Sequence, residues 1–492
     1  MKQIVQNFNN LIKKTIFKVK NKTNDNLKIS NFNKFITTFI SLLFFYLFYL
    51  SIPILYDKTW VQNNIEKKLL DEFKIDFSIS SDVSYRILPA PHFLIRDSKI
   101  FKKEGDKNVS LADIKNLKVF VEQGNLFDKE KTNVRYVKID TANFSISKDD
   151  LKLFKESSNN KFSNKKIQIN NGNIFFKDNL DETIAIIKIA KASLFSNDES
   201  LLNLIYLNGE VFKIPFVLEY KKEFNFLDKY KININTDSLK LNFFDTYEDD
   251  DIKKRRNITS FLNFKLDTGY KVNDGLVTFK SNNLIIKNTK VNYNGQLSID
   301  PFDLDLNINI DNYKFFKKFN IGSILNEVIK TQLFFNNKLS IHTSIIASSN
   351  LKREAFYQAN VNFNIVKGKI NLNKTKLFNK KIGTLELDNS NIYFKDDMLT
   401  LNTDIIIDIF NYSELFSALQ TNKKFRRPIR NILMNLDYNF LTNQVEFNSL
   451  KINNKKVNEK LFRILQVFNG NEVDNWNMNK RLLNSLFESY EG

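Results

Sequence analysis

The sequence predicts a mainly β protein: a single N-terminal transmembrane helix, an elongated antiparallel β-sheet body that is curved and forms a groove, and a helical C-terminal cap. Three observations predict this class. Residues 35–56 carry no charge, apolar and polar residues then alternate with a period of two, and helical spacing returns after residue 411. We divide the chain into a basic tail (1–34), an anchor (35–56), a β-rich body (57–359) and a C-terminal β region ending in amphipathic helices (360–492).

The uncharged run is long enough to cross a membrane. Its 22 residues would span about 33 Å as a helix, which matches the apolar thickness of a bilayer. It exceeds the apolar core of a cleaved signal peptide, which favours an uncleaved signal anchor over the alternative of a buried helix in a soluble protein. The predicted membrane residues include Phe35, Phe39, Leu43, Phe45, Leu47, Leu50 and Ile54.

Charge on the two sides of the anchor predicts its orientation. Residues 1–34 carry a net charge of +7, whereas residues 57–76 carry −1. The positive-inside rule therefore places the N-terminus in the cytoplasm and the body beyond the membrane. Tyr56 and Trp60 lie where an aromatic belt would meet the far interface.

Apolar residues at helical spacing predict a short amphipathic helix between the anchor and the first strand. They are Val61, Ile65, Leu69, Leu70 and Phe73. Similar spacing at residues 415–419, 457–468 and 482–487 predicts the C-terminal helices, which would cap the last sheet edge or lie on a membrane.

Strict alternation predicts strands with one apolar and one solvated face. In residues 302–311, apolar side chains alternate with Asp and Asn without interruption. Antiparallel sheet follows, with turns in which Asn and Asp replace Gly. The apolar face either packs into a closed core or lines a groove wide enough for acyl chains. The groove candidates are Leu262, Phe264, Leu266, Phe302, Leu304, Leu306, Ile308, Ile310, Val361, Phe363, Ile365, Leu436, Tyr438 and Phe440.

A weak internal repeat begins at Ile95, Ile139, Ile169, Ile286 and Leu387. Each copy has an aliphatic residue, two polar residues, a small or polar residue, another polar residue and then an apolar pair or alternation. We interpret each copy as a strand, a polar turn and a return strand, used repeatedly to extend one sheet.

The residue inventory excludes most catalytic and metal chemistry. The chain has no Cys, its two histidines (His92 and His342) are far apart, and its twelve glycines form no phosphate-binding loop. We therefore expect no catalytic residue, no metal and no cofactor, and we expect the protein not to be an enzyme. Nucleic acid is not an expected partner of a body outside the cytoplasm.

A basic cluster in the C-terminal region is a candidate site for anionic lipid head groups. The alternative interpretation is a solvated loop that binds no head group. The cluster comprises Lys423, Lys424, Arg426, Arg427 and Arg430.

Residues 73–101, FKIDFSISSDVSYRILPAPHFLIRDSKIF, resemble the N-terminal signature of the AsmA family of membrane-anchored envelope proteins. Pro89 and Pro91 occupy the Pro-x-Pro turn of that signature, and Asp97 and Ile100 occupy its "dv.i" step. The glycines usual before and within the first strand are missing. The resemblance implies a bacterial inner membrane crossed once, a groove-forming periplasmic body related to bridge-like lipid transfer proteins, and a role in outer-membrane lipid homeostasis and envelope biogenesis. It brings no catalytic residues.

Three functions remain open from the sequence. The first is binding or conveying phospholipid acyl chains along the apolar groove, with the inner membrane and phospholipid as partners. The second is a non-enzymatic assembly factor that holds outer-membrane or envelope proteins by strand addition. The third, an envelope hydrolase with paired carboxylates, is supported only by composition.

Overall fold

The computed structural model describes most of the chain and places helices at both ends. The described residues are 31–104, 107–224, 229–247, 255–261, 264–273, 275–282, 284–286, 289–312, 332–349, 356–395, 398–470 and 476–491. Most of the basic tail lies outside them. The helices are α1 (Asn31–Ser51), α2 (Lys58–Phe73), α3 (Lys148–Ser157), α4 (Tyr412–Leu419), α5 (Glu459–Gln466) and α6 (Trp476–Ser489).

The anchor is α1 together with the short 3-10 helix that follows it (Ile52–Leu55), and this segment is long and apolar enough to cross a membrane. Pro53 cannot donate a backbone hydrogen bond, which accounts for the end of regular α geometry here. Of the predicted membrane residues, Leu50 packs against the body at 5 % exposure. The others are exposed: Phe35, Phe39, Leu43, Phe45, Leu47 and Ile54.

The predicted amphipathic helix after the anchor is confirmed as α2. Asp57 begins it by accepting a hydrogen bond from the backbone nitrogen of Trp60, and Lys74 ends it in a left-handed conformation. Val61, Ile65 and Leu69 are buried, as their spacing predicts.

The rest of the described chain is dominated by strands, so the predicted mainly β class is confirmed. The strands are β1 (Asp76–Ser78), β2 (Val83–Arg86), β3 (His92–Glu104), β4 (Lys107–Val121), β5 (Val134–Ile146), β6 (Ile167–Lys177), β7 (Thr183–Asn197), β8 (Leu202–Val211), β9 (Ile214–Glu223), β10 (Tyr230–Thr236), β11 (Leu241–Tyr247), β12 (Arg255–Phe261), β13 (Phe264–Asn273), β14 (Leu276–Ser281), β15 (Leu284–Ile286), β16 (Thr289–Ile299), β17 (Phe302–Asp311), β18 (Leu339–Ser348), β19 (Gln358–Val366), β20 (Lys369–Asn371), β21 (Thr375–Asn379), β22 (Gly383–Lys395), β23 (Met398–Ile409), β24 (Asn431–Asn439), β25 (Gln444–Ile452) and β26 (Lys455–Lys456).

All these strands join one sheet in which neighbours follow chain order. The short strands β1 and β2 share one side of β3, and the pairs β14/β15 and β20/β21 share positions in the same way. At about 4.8 Å per strand, roughly two dozen sheet positions give a contour of about 110 Å. The sheet therefore grows along one axis from the anchor to the C-terminal helices.

Two neighbouring pairs, β5–β6 and β17–β18, are parallel, whereas the sequence predicted only antiparallel pairing. A parallel pair needs a crossover connection instead of a tight turn. The β5–β6 crossover contains α3, a helix that the sequence did not predict, and the ring of its Phe154 lies 6.1 Å from that of Tyr220 on β9.

In four copies the weak repeat marks a kink inside a strand, so the interpretation as strand, turn and return strand is wrong for these copies. It is confirmed for the copy from Ile286, because β15 pairs antiparallel with β16 as its return strand. The third residue of four copies has positive φ while the strand continues through it: Asp97, Thr141, Asn171 and Asn389. The left-handed residue shifts the alternation of side chains by one, so Ile95 and Ser98 both face inward. The small fourth residue is buried in the copies that contain Ser98, Ala142 and Ser390. The third residue of the copy from Ile286 lies outside the described residues.

Two large apolar cores lie at opposite ends of the sheet. The N-terminal core packs α2 against one face of the first strands, and Leu69, Ile95 and Leu117 are fully buried in it. The C-terminal core packs α4, α5 and α6 against the last strands around Phe416 and Leu465. The predicted C-terminal helices are therefore confirmed as a cap.

The sheet curls back on itself. The side-chain amide of Asn336 donates to the carbonyl of Ile184 at 2.8 Å, and Lys338 forms ion pairs with Asp178 and Glu182 in the β6–β7 turn. In a flat sheet β7 and β18 would lie about 50 Å apart, so these contacts require strong curvature. Predicted curvature is thereby confirmed.

Candidate functional site

One face of the sheet is apolar from its first strands to its last. Residues opposite each other in a ladder point to the same face, so the register follows this face from strand to strand. One row crosses ten strands: Val277, Leu297, Leu304, Ile341, Ile365, Ile370, Ile392, Leu401, Tyr438 and Val445. A second row on the same face joins Leu207, Leu218, Ile234, Phe243, Thr259 and Leu266. We call this surface the apolar face.

The register brings most of the predicted groove residues together on the apolar face. Leu262 lies outside the described residues, and Phe264 is paired with Phe261 at the start of β13. Phe440 follows β24, and its ring lies 5.2 Å from that of Tyr438. The remaining candidates occupy the face at Leu266, Phe302, Leu304, Leu306, Ile308, Ile310, Val361, Phe363, Ile365, Leu436 and Tyr438.

The apolar face is covered at its ends and open between them. Ile365 is fully buried in a packed cluster and belongs to closed core, and Leu436 is buried beneath the C-terminal helices. In contrast, among the described residues between 205 and 338, no apolar side chain is buried. On β17 the five apolar residues are half-buried, and the alternating residues Asp305, Asn307 and Asn309 are exposed on the opposite face.

The face curls toward its own apolar side. Phe334, just before Asn336, lies against the apolar face with its ring 6.0 Å from that of Phe363. The β6–β7 turn contacts Asn336 and Lys338 beside this segment. The apolar face is therefore on the inside of the curl, where a bound chain would be shielded from water.

A polar cluster interrupts the open part of the apolar face. Asp245 is 4 % exposed, and its Oδ2 accepts a hydrogen bond of 2.7 Å from the hydroxyl of Tyr270. The hydroxyls of Tyr230 and Tyr270 lie 3.2 Å apart. Burial raises the pKa of the Asp245 carboxyl, and the hydrogen bond from Tyr270 opposes that rise. Spacing along the sequence does not predict this cluster, because its members lie on separate strands.

A cavity of about 440 Å³ lies at the C-terminal end of the apolar face. Its floor is formed by β22 to β25, and its roof by α4, α5 and α6. Leu436 and Tyr438 from the groove prediction line it, together with Leu385, Ile405, Leu419 and Leu483. Pockets of this volume and apolar character are typical of sites for small apolar ligands.

The predicted head-group cluster lies on the connection between α4 and β24, two elements that line this cavity. Lys423, Lys424, Arg427 and Arg430 are exposed, and Arg426 is half-buried because its Nε donates to the carbonyl of Thr421 at 3.0 Å. None of the five forms an ion pair with a carboxylate in the part of the chain that the structure describes. Their charge is therefore available to an anionic ligand.

The residues that carry the resemblance lie in the first strands and the turn between them. Pro89 and Pro91 lie in the β2–β3 turn, Asp97 is the left-handed residue of β3, and Ile100 is buried.

The two histidines lie in different environments. The Nδ1 of His92 lies 2.7 Å from the carbonyl oxygen of Ala90, and its ring stacks on Phe120. Burial lowers the pKa of His92. His342 is exposed, and its Nδ1 lies 3.3 Å from the side-chain oxygen of Asn364. Among the described residues, no group of three or more acidic or histidine side chains could hold a metal ion.

No protein-family model matches the chain, and no curated protein matches it.

Proposed function

We propose that this protein binds phospholipid acyl chains on its apolar face and conveys them away from the membrane that holds its anchor. The observation that carries the proposal is the continuity of the apolar face, which the strand register extends across the whole sheet and which the described residues leave open between β9 and β17. The proposed setting is a bacterial inner membrane, with the N-terminus in the cytoplasm and the body in the periplasm, as in the AsmA family.

The energetic basis is the hydrophobic effect. Each methylene kept from water contributes about 0.8 kcal/mol, so a chain of ordinary length would gain on the order of 10 kcal/mol over exposure in the periplasm. The opposite face of the sheet is polar on β17 and stays in water. Acyl chains would therefore lie inside the curl while the polar head groups remain hydrated at its rim.

The C-terminal end supports the same proposal. The cavity under α4, α5 and α6 would accept the end of an acyl chain, and the neighbouring basic cluster would contact a phosphate. Among the described residues these two features lie together at the end of the sheet farthest, along its contour, from the anchor.

Strand addition has less support in this fold. It would need a long free sheet edge, but the described edges are β1 and β2 at one end and the two-residue β26 at the other. The adjoining edge of β25 is also covered, because Gly470 donates its backbone hydrogen bond to Val445.

Site-specific photocrosslinking tests the proposal. A photoreactive phenylalanine analogue is placed at Ile308, on the apolar face, and at its neighbour Asn307, on the opposite face. In the full chain, irradiated in cell envelopes, we expect phospholipid adducts at position 308 and not at position 307. Equal adducts at both positions, or adducts at neither in a folded protein, would reject acyl-chain binding on this face.

A further inference from the structure

The end of the anchor is tied to the body by hydrogen bonds from three tyrosines. Tyr46 donates to the side-chain oxygen of Gln123 at 3.0 Å, and Tyr49 donates to the carbonyl of Gln123 at 2.6 Å. Tyr56 donates to the carbonyl of Leu126 at 2.5 Å. From Tyr46 to Tyr56 the helical segment advances about 15 Å. The β4–β5 loop, residues 122–133, therefore runs beside the last turns of the anchor.

The β2–β3 turn, residues 87–91, lies next to that loop on the same rim of the sheet. The backbone nitrogen of Val121 donates to the carbonyl of Pro91 at 3.1 Å. The hydroxyl of Tyr85 donates to the carbonyl of Leu50 at 2.9 Å, so this strand also contacts the anchor. Both connections are thus fixed beside the C-terminal turns of the anchor.

Each connection presents a large apolar side chain to its surroundings. Leu88 is 77 % exposed and Phe127 is 74 % exposed, and Leu55 at the end of the anchor is 82 % exposed. The ring of Phe127 lies 5.1 Å from that of Tyr49, whereas the adjacent Leu126 is fully buried. Exposed apolar tips next to a membrane helix are typical of a surface that enters lipid.

From this juxtaposition, we propose that Leu88 and Phe127 insert into the acyl-chain region of the leaflet on the side of the body. The occupant is the bilayer itself, because the β4–β5 loop and strand β2, which leads to Leu88, are hydrogen-bonded to a helix that is long and apolar enough to span it. The inference rests on the membrane role of the anchor in the proposed function. It deepens that function by placing the first strands of the sheet in the leaflet from which lipid would leave.

Tyr46 and Tyr49 then have a role beyond the aromatic belt expected at Tyr56 and Trp60. Their hydroxyls would be costly to bury in lipid without partners, and the β4–β5 loop supplies those partners. The loop thereby enters the leaflet with its own polar groups partly satisfied by the anchor.

The absence of cysteine from the chain makes a clean labelling test possible. Single substitutions Leu88→Cys and Phe127→Cys are labelled with an environment-sensitive fluorophore in the full chain, reconstituted in vesicles of phosphatidylethanolamine and phosphatidylglycerol. Leu55→Cys is the positive control. Leu180→Cys, equally exposed at 79 % but in the β6–β7 turn on the opposite rim, is the negative control.

We expect blue-shifted emission at positions 88 and 127, and quenching by lipids with a spin label on the acyl chain that is several-fold stronger than at position 180. Quenching at 88 and 127 no stronger than at 180, with position 55 quenched, would overturn the insertion. Failure of the proposed acyl-chain binding would give a different result. The labels at 88 and 127 would still be quenched, but no phospholipid would crosslink at position 308.

Discussion

At the scale of single residues, left-handed backbone positions shape the sheet. Asp97, Thr141 and Asn171 have positive φ within β3, β5 and β6, and each precedes a small inward residue. The sequence contains this pattern as a repeat, but the positive φ could not be read from it. The residues at these positions are polar in every copy, which is equally typical of a turn. Only the pairing of strands in the structure distinguishes a kink within one strand from a turn between two strands.

Thr141 is the least suited of these residues to its conformation, because a β-branched side chain disfavours positive φ, whereas Asn tolerates it. We expect Thr141→Asn to raise the free energy of unfolding by roughly 0.5–1 kcal/mol. The measurement is denaturant unfolding of the full chain in detergent. Thr183→Asn, at an exposed strand position without positive φ, is the control and should not stabilise. An equal effect of the two changes would contradict the strain at Thr141.

Asp245 should make stability depend on pH. Its pKa is raised in the folded protein, so the folded state holds the proton more tightly than the unfolded chain. The resulting stability is greatest below the unfolded pKa and is lost as the pH rises through the folded pKa. We expect Asp245→Asn to stabilise the protein at neutral pH, with the gain disappearing in acid. Unfolding curves from pH 3 to 8 measure this, with exposed Asp305→Asn as the control for lost charge. A gain independent of pH would contradict the expectation.

At the scale of elements, local periodicity predicted most of the fold. The anchor, α2, the alternating strands and the C-terminal helices follow from spacing alone. The sequence did not predict α3, in which the described side chains of Leu151 and Phe154 are 43 % and 40 % exposed. It also missed the two parallel pairs, because strand direction depends on crossovers and not on alternation.

The C-terminal cap should unfold independently of the N-terminal core, since the two cores are separate clusters. Leu465 is fully buried, and Leu465→Ala should cost about 2–5 kcal/mol within the cap. Hydrogen exchange should then show lost protection in α4 to α6 and unchanged protection in α2. Val467→Ala, at 75 % exposure, is the matched control. Protection lost equally in both cores would mean that the sheet couples them.

At the scale of the whole molecule, the sheet combines an apolar inner face with a curl that shelters it. The alternation of apolar and polar residues predicted an apolar face on each strand. The sequence of one strand does not show whether that face continues onto the neighbouring strand. Strand register answers that question, and burial then separates Ile365, in closed core, from Leu306, which is half-buried. The predicted groove residues therefore include some that are packed in the core and others that lie on the open part of the apolar face.

The curl itself can be tested through the contact between Glu182 and Lys338. In the cysteine-free chain, the double substitution Glu182→Cys and Lys338→Cys should form an intramolecular crosslink with a short thiol reagent. Each single substitution serves as a control. A flat sheet would hold the two positions about 50 Å apart and give no such product.

Native mass spectrometry of the full chain, purified from envelopes in minimal detergent, tests acyl-chain binding most directly. We expect several phospholipids per wild-type chain, fewer in Leu306→Asp, which places a charge on the apolar face, and no change in Asn307→Asp on the opposite face of β17. A folded wild-type protein without phospholipid, or equal lipid in the two variants, would contradict the proposed function.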